Sequence, residues 1–134
     1  MKIEVFNPTK IVSPVRCAIQ YYGRLGFTMA AMWELNLAIV HDTGSIGLGK
    51  NVEDPTDLSF YMYTYYDNPL KGAFRLKKTG GYFYLNTKTL FDDLKFDYKN
   101  RYIIFNITKI SREQDQILYR LDKKELRRTR FYVN

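Results

Sequence analysis

The sequence contains very little of the chemistry that disulfide frameworks and metal centres require. Its 134 residues include one cysteine, Cys17, and one histidine, His41. A single cysteine excludes an internal disulfide and a cysteine-based metal site, and a lone histidine cannot build a multi-histidine site. Cys17 lies in an apolar stretch with Val15 and Ile19, which predicts a buried and unreactive thiol. We therefore expect the protein to use no metal and no other cofactor.

Long hydrophobic segments are missing as well. No apolar run of the sequence approaches the ~20 residues that a bilayer-spanning helix needs. Residues 1–10 are mixed and polar, unlike a signal peptide. These observations predict a cytoplasmic protein without a membrane segment. Because the sequence also lacks a low-complexity linker, we expect one domain over residues 1–134.

The sequence lacks a recognisable catalytic constellation. Asp42 beside His41 is more typical of a turn than of an acid–base pair, and Asp92 and Asp93 are typical of a solvated helix face. Segment 44–50 is rich in glycine, but it has neither the glycine spacing of a phosphate loop nor the Ser or Thr that follows the lysine of that motif. A hairpin or a bulged strand explains this segment better. We therefore predict that the protein is not an enzyme.

Positive charge and aromatic side chains are what the sequence does have. Lysine and arginine number 21 against 14 aspartates and glutamates, a net charge of +7, which attracts polyanions. There are 12 Tyr, 9 Phe and 1 Trp, and a tyrosine can be half buried because its ring is apolar and its hydroxyl polar. The combination predicts contact with nucleic acid. A protein partner, or solubility alone, would also explain it.

Hydrophobic periodicity predicts an α+β fold that is mostly β. Residues 60–66 and 102–107 are rich in aromatic and β-branched side chains, and the second run predicts a central strand. Residues 73–77 alternate between apolar and basic. Segments 42–45 and 78–81 have the composition of hairpin turns. We expect a compact β-barrel or sheet.

The C-terminal part allows two interpretations. Residues 111–114 resemble a capping box, which would start a helix that continues to Leu126. Residues 117–121 instead read as a strand that returns from a polar turn at 112–116. We favour the hairpin, followed by a short strand at 131–133.

Two segments resemble each other and indicate an internal repeat. Residues 23–37 and 81–96 each read as glycine, a short strand, a Thr or Asn, and a brief helix. The pseudo-repeats extend over about 22–50 and 80–108, each a strand, a short helix and a second strand. With two copies, we expect the units to pair face to face inside one chain. Chance similarity between two strand–helix units is the alternative.

Each copy predicts a cap and a short helix. Thr28 and Asn86 are suited to cap helices over 29–35 and 87–94. The apolar spacing places two neighbouring side chains of each helix toward the core. These are Met32 and Trp33 in the first copy and Leu90 and Phe91 in the second.

The second copy resembles the swapped-hairpin DNA-binding domains of the AbrB and MazE kind. Residues 81–85, 94–96 and 101–105 take the places of the first strand, the helix end and the second strand of that family, with a poorer match over 23–48. Asn86 stands where the family has proline, and Lys99-Asn100 where it has a Gly-Asp turn. The resemblance implies an interleaved β-barrel that binds DNA. Family members pair two chains, so one chain with two copies could supply the pair itself; a homodimer is the other arrangement.

Two basic clusters are the candidate binding residues. Arg75 and Lys77 lie two apart, which places them on one strand face with Phe74 and Leu76 on the other. The first cluster consists of Lys71, Arg75, Lys77, Lys78 and Lys88, flanked by Tyr63, Tyr65, Phe74, Tyr82 and Tyr84. The second consists of Lys123, Lys124, Arg127, Arg128 and Arg130.

Cations beside exposed rings suit single-stranded nucleic acid, because phosphates follow the cations and bases stack on the rings. A β-ribbon in a duplex groove would use the cations alone. In the competing interpretations the tyrosines are core, the lysines are a solvated face, and the second cluster is a solubilising terminus.

We therefore expect a DNA-binding protein, single-stranded or duplex, that acts in replication or regulation. The style of the sequence resembles small early proteins of phages and mobile elements of Gram-positive bacteria. The alternative is a protein-interaction module that inhibits or triggers a host defence protein, with the aromatic residues as interface hot spots.

Overall fold

A curled antiparallel sheet that packs against short helices forms the protein. The computed structural model describes residues 1–5, 14–67 and 73–127. The described residues form β1 (Arg16–Ile19), β2 (Leu25–Phe27), α1 (Met29–Glu34), α2 (Leu37–Thr43), β3 (Ser45–Lys50), β4 (Phe60–Tyr65), β5 (Lys77–Thr79), β6 (Tyr82–Leu85), α3 (Lys88–Asp93), β7 (Arg101–Glu113) and β8 (Gln116–Arg127). The sheet is a half-barrel and the domain is single and compact, which confirms the mostly β, α+β prediction.

The long β7–β8 hairpin joins the two halves of the sheet. The strand order is β3-β4-β8-β7-β1-β2-β6-β5. β8 pairs with β4 through residues 116–121, and β7 pairs with β1 through residues 103–106. Both the central strand predicted at 102–107 and the C-terminal hairpin are confirmed, and the helical interpretation of the tail is wrong. The strand predicted at 131–133 lies outside the described residues.

One face of the sheet supplies most of the core. Strand side chains alternate between two faces, so every second residue of β1, β2, β6 and β7 points to the helices. These inward residues include Cys17, Ile19, Leu25, Phe27, Phe83, Leu85, Ile103 and Phe105, all buried. Leu35, Leu37 and Val40 pack against them from the helical side. The thiol of Cys17 is therefore buried as the sequence predicted.

The strands of the two similar segments are direct neighbours. β2 and β6 pair antiparallel, with Leu25 opposite Leu85 and Gly26 opposite Tyr84. Each strand is followed by a helix of 6 residues, α1 or α3. A further link joins the copies, since the hydroxyl of Thr87 donates a buried hydrogen bond of 2.9 Å to the carbonyl oxygen of Gly23.

Of the two predicted helix caps, the one at Thr28 is confirmed and the one at Asn86 is wrong. Thr28 caps α1, because its Oγ1 accepts a hydrogen bond of 3.2 Å from the amide of Ala31. The cap predicted at Asn86 is wrong: the N-cap residue of α3 is Thr87. The hydroxyl of Thr87 points back to β2, so it serves the contact between the copies rather than the helix start.

The segment before β3 folds differently from the prediction. The hairpin turn expected at 42–45 is wrong, because Asp42 and Thr43 belong to α2. Asn36 adopts a left-handed conformation (φ 51°) that ends α1 and starts a second helix, which buries Leu37 and Val40. By contrast, the turn predicted at 78–81 is confirmed, with Thr79 opposite Tyr82 in the register.

The prediction that Trp33 faces the core is wrong. Its side chain is 73% exposed, whereas Ala31 and Leu35 of the same turn region are fully buried. Met32 and Leu90 are partly buried against the core, and Phe91 is buried.

None of the described helices is long and apolar enough to cross a membrane.

Candidate nucleic-acid interface

The sheet surface that points away from the helices, here called the outer face, carries one lysine from each of the two predicted basic clusters. The register defines one cross-strand row over β5, β6, β2, β1, β7 and β8: Lys77, Tyr84, Gly26, Ala18, Ile104 and Lys124. Neighbouring strands lie ~4.8 Å apart, so the five steps between the two terminal lysines span roughly 24 Å along the curled sheet. Lys77 from the first predicted cluster and Lys124 from the second thus end the same row.

Two arginines, Arg24 and Arg16, flank this row, and a third, Arg120, lies four residues before Lys124 on the same face. The guanidinium of Arg24 lies over the ring of Tyr84 at 4.3 Å and over that of Tyr22 at 5.0 Å. Arg16 donates from Nε to Oδ1 of Asn106 at 2.7 Å. Arg120 is held by Asp122 of the same strand at 3.1 Å. A guanidinium stacked on aromatic rings keeps its N–H edges available to a phosphate.

Stacked tyrosines form two groups on the outer face. Tyr82 and Tyr84 lie 6.1 Å apart with an interplanar angle of 21°, and Tyr63 and Tyr65 lie 5.8 Å apart at 25°. The sequence grouped all four around one cluster. In the sheet order β4 and β6 are separated by β8, β7, β1 and β2, so the two groups share a face but do not touch.

Gly26 allows Tyr82 to lie flat on the sheet. A Cβ atom at Gly26 would meet the Tyr82 hydroxyl at 1.9 Å and Gln20 Nε2 at 2.8 Å. The Tyr82 hydroxyl is buried, and desolvation, followed by the nearby Tyr22, raises the pKa of Tyr82 above its ordinary value. Tyr82 is therefore part of the floor of the outer face rather than a projecting ring.

Other tyrosines project further from the same face. Tyr22 is 50% exposed, Tyr102 47% and Tyr63 36%. In contrast, Tyr98 and Tyr119 are buried in the core. The competing interpretation, in which the tyrosines beside the first cluster are core, is wrong for Tyr63, which is exposed, while Tyr65, Tyr82 and Tyr84 are half-buried.

Three of the predicted site lysines lie elsewhere. Lys78 alternates with Lys77 and reaches over the ring of Phe83 at 5.5 Å, on the opposite side of the sheet. Lys88 is on α3, where it forms a 2.6 Å ion pair with Asp92. Lys123 lies on the same side as Lys78 and pairs with Glu125 at 3.2 Å.

The remaining predicted residues are exposed or lie outside the described chain. Arg75 precedes β5 and Arg127 ends β8, and both side chains are exposed. Arg127 stands opposite Arg101 in the β7–β8 register. Lys71, Arg128 and Arg130 lie outside the described residues.

Sequence reasoning missed five residues of the outer face. They are Arg16, Arg24, Arg120, Tyr22 and Tyr102. A usable signal existed for Arg16, Tyr102 and Arg120, each of which alternates with buried apolar residues in the period of a half-buried strand. The others become neighbours through strand pairing between distant segments.

The described residues offer little for metal or phosphate-loop chemistry. They contain no group of three or more His, Cys, Asp or Glu side chains that could hold a metal ion. The glycine-rich segment 44–50 is largely strand β3, which pairs with β4 along its whole length. His41 contacts Asp42 at 3.2 Å and the ring of Phe83 at 5.7 Å.

Comparison of the chain with protein-family models, curated proteins and solved structures finds no match in any of the three. The resemblance to swapped-hairpin DNA-binding domains therefore stays a prediction from the sequence.

Proposed function

We propose that the protein binds nucleic acid through the outer face of its sheet. The observation that carries the proposal is the cross-strand row that ends in Lys77 and Lys124. It gathers cations from the middle and from the C-terminal part of the sequence on a surface that also presents aromatic rings. A role in the replication or regulation of a phage or mobile element would follow from such binding.

The surroundings of the row suit a phosphate backbone. Arg24, immediately before β2, and Arg16, on β1, stand beside the row between the terminal lysines. The carboxylate of Asp122 is already engaged by Arg120, which lessens its repulsion of a phosphate. Together with the net charge of +7, these cations favour polyanion binding over a broad surface.

Adjacent lysines on opposite faces give a matched test. The double variant Lys77→Ala/Lys124→Ala removes the ends of the row, and Lys78→Ala/Lys123→Ala removes the same charge from the other side of the same strands. In fluorescence anisotropy with labelled oligonucleotides, we expect the first variant to bind more weakly. Its plot of log affinity against log salt should be shallower by about 1.4 to 1.8, the loss of two phosphate contacts.

The control variant should bind as the unmodified protein does. Equal weakening in both variants would mean that net charge alone governs the affinity, and the outer face would lose its role. Absence of binding at low salt would overturn the proposal entirely.

A second candidate function is binding of an acidic protein partner on the helical side. A mostly apolar groove of about 280 Å³ lies between α1, α2 and the β5–β6 turn. Trp33 lines it, and tryptophan is enriched among interface hot spots. Lys78 also lines the groove and favours a partner with a carboxylate near its apolar anchor.

This candidate is tested by affinity capture at high salt. A partner retained by the unmodified protein but lost with Trp33→Ala would support it, because an apolar anchor is less sensitive to salt than phosphate contacts are. Retention by both forms would exclude the groove as the binding surface.

A further inference from the structure

We infer that the nucleic acid bound on the outer face is single-stranded, with bases stacked on projecting tyrosines. The inference rests on the proposed function and names the ligand class for that same surface. Three features of the outer face carry it: its curvature, the exposure of its rings, and the position of rings between the cations that end the cross-strand row.

The curvature of the sheet disfavours a duplex. The half-barrel encloses the core on its inner side, so the outer face is convex. Lys77 and Lys124 end a row of six strands on this convex surface. A duplex has a persistence length of about 150 bp and touches a convex surface only over a short stretch. A single strand follows the curve and reaches both lysines.

The projecting rings suit unpaired bases better than a duplex. Tyr102 is 47% exposed and Tyr22 50% exposed, and both belong to the outer face near the row. Bases of a duplex are already stacked on each other and have no free face for a tyrosine. Bases of a single strand stack on aromatic rings with little dependence on sequence.

Aromatic rings lie on the outer face between the two lysines that end the row. Lys77 is followed by Tyr84 with Arg24 on its ring, and Tyr102 lies two residues from Ile104, the neighbour of Lys124. A backbone that runs from Lys77 to Lys124 thus meets a cation, a ring, and then a ring and a cation. This order suits phosphates held between stacked bases.

The test compares strand types and then removes one ring. Anisotropy titrations would use oligo(dT), oligo(rU) and a duplex of equal length, at the same salt. We expect either single strand to bind more tightly than the duplex, and the two oligomers tell whether DNA or RNA is preferred. Tyr102→Leu should weaken single-strand binding by about 5- to 150-fold, the loss of one stacked base.

Two controls separate stacking from folding and charge. Tyr102→Phe keeps the ring and should retain the affinity, and Trp33→Leu removes an exposed ring from the helical side and should change nothing. The salt dependence of Tyr102→Leu should match the unmodified protein, because no phosphate contact is lost. Circular dichroism confirms that each variant is folded.

The outcomes separate this inference from the proposed function. Equal or tighter binding of the duplex, or equal affinity of Tyr102→Leu and Tyr102→Phe, would overturn the single-strand inference and leave nucleic-acid binding intact. If none of the three oligonucleotides binds, both the single-strand inference and the proposed function are overturned.

Discussion

At the scale of single residues, Asp57 organises the loop between β3 and β4. The Tyr61 hydroxyl donates to its Oδ2, the amide of Ser59 donates to Oδ1 at 3.0 Å, and Asn51 Nδ2 lies 3.4 Å from Oδ2. The bond from Tyr61, followed by that from Ser59, lowers the pKa of Asp57 to about 2 from its ordinary 3.8. The ionised carboxylate thus stabilises the folded state.

The pH dependence of stability follows from this lowered pKa. The contribution of the ionised Asp57 to the stability of the folded protein is fully present above pH 3.8, the ordinary pKa. It is lost as the pH falls toward 2. In Tyr61→Phe the largest cause is removed, so the pKa of Asp57 should rise toward 3.8. NMR titration of the carboxyl group measures it directly, and an unchanged pKa would show that Tyr61 is not the main cause.

Cys17 gives a second prediction for a single residue. The thiol is fully buried, and burial raises its pKa well above the ordinary value. A thiol reagent such as DTNB should therefore not react with the folded protein at neutral pH, and should react once the protein is unfolded in denaturant. Rapid labelling of the native protein would show that β1 opens readily in solution.

At the scale of elements, Gly44 fixes the passage from α2 into β3. A Cβ atom at this position would lie 1.7 Å from the backbone oxygen of Tyr65, which cannot move aside without distorting β4. Gly49, within β3, has nothing within 4 Å of such an atom. Substitutions at the two glycines, one just before β3 and one inside it, should therefore have opposite effects on stability.

Gly44→Ala should destabilise the protein by about 3 kcal/mol, the upper end for overpacking. Gly49→Ala should stabilise it by about 0.5 to 1 kcal/mol, because alanine loses less backbone entropy on folding. Urea unfolding of both variants measures these free energies. Similar values for the two would contradict the close approach of Gly44 to β4.

The strands could be predicted from the sequence where local signals agree. Segment 60–66 has a high β propensity, and Gly80 and Gly81 supply the turn that sets the β5–β6 register. α2 could not be predicted, because Ile39, Val40 and Thr43 are β-branched and its burial depends on tertiary packing. Which face of α1 packs against the core could not be predicted either, because a helix of 6 residues is too short to show a clear apolar period.

The candidate site was predictable only within single strands. Alternation placed Arg75 and Lys77 on one face, and the same rule places Lys78 on the other face, so its inclusion in the first cluster was wrong. Arg16 and Arg24 join the site because β1 and β2 lie between β7 and β6. Such pairings between distant segments are set by the packing of the whole sheet, which local patterns do not contain.

At the scale of the whole molecule, the two candidate surfaces lie on opposite sides of the sheet. Trp33 lines the helical groove, whereas the cross-strand row lies on the outer face. Because the chain has one tryptophan, its fluorescence reports on the helical side alone. A single fluorescence experiment can therefore distinguish the two proposed functions.

Binding of oligonucleotide to the outer face should leave the emission maximum of Trp33 unchanged. A partner that fills the groove should shift it to shorter wavelength, because the indole, now 73% exposed, would lose contact with water. A blue shift on addition of oligonucleotide would place the nucleic acid on the helical side and contradict the outer-face assignment.

The short edge strand β5 also affects the tendency of the protein to aggregate. It lies at one end of the sheet, and its three residues, Lys77, Lys78 and Thr79, are all exposed. A brief, lysine-rich edge discourages other chains from adding to the sheet and so protects against aggregation. Replacement of both lysines by β-branched apolar residues would remove this protection and favour edge-to-edge self-assembly.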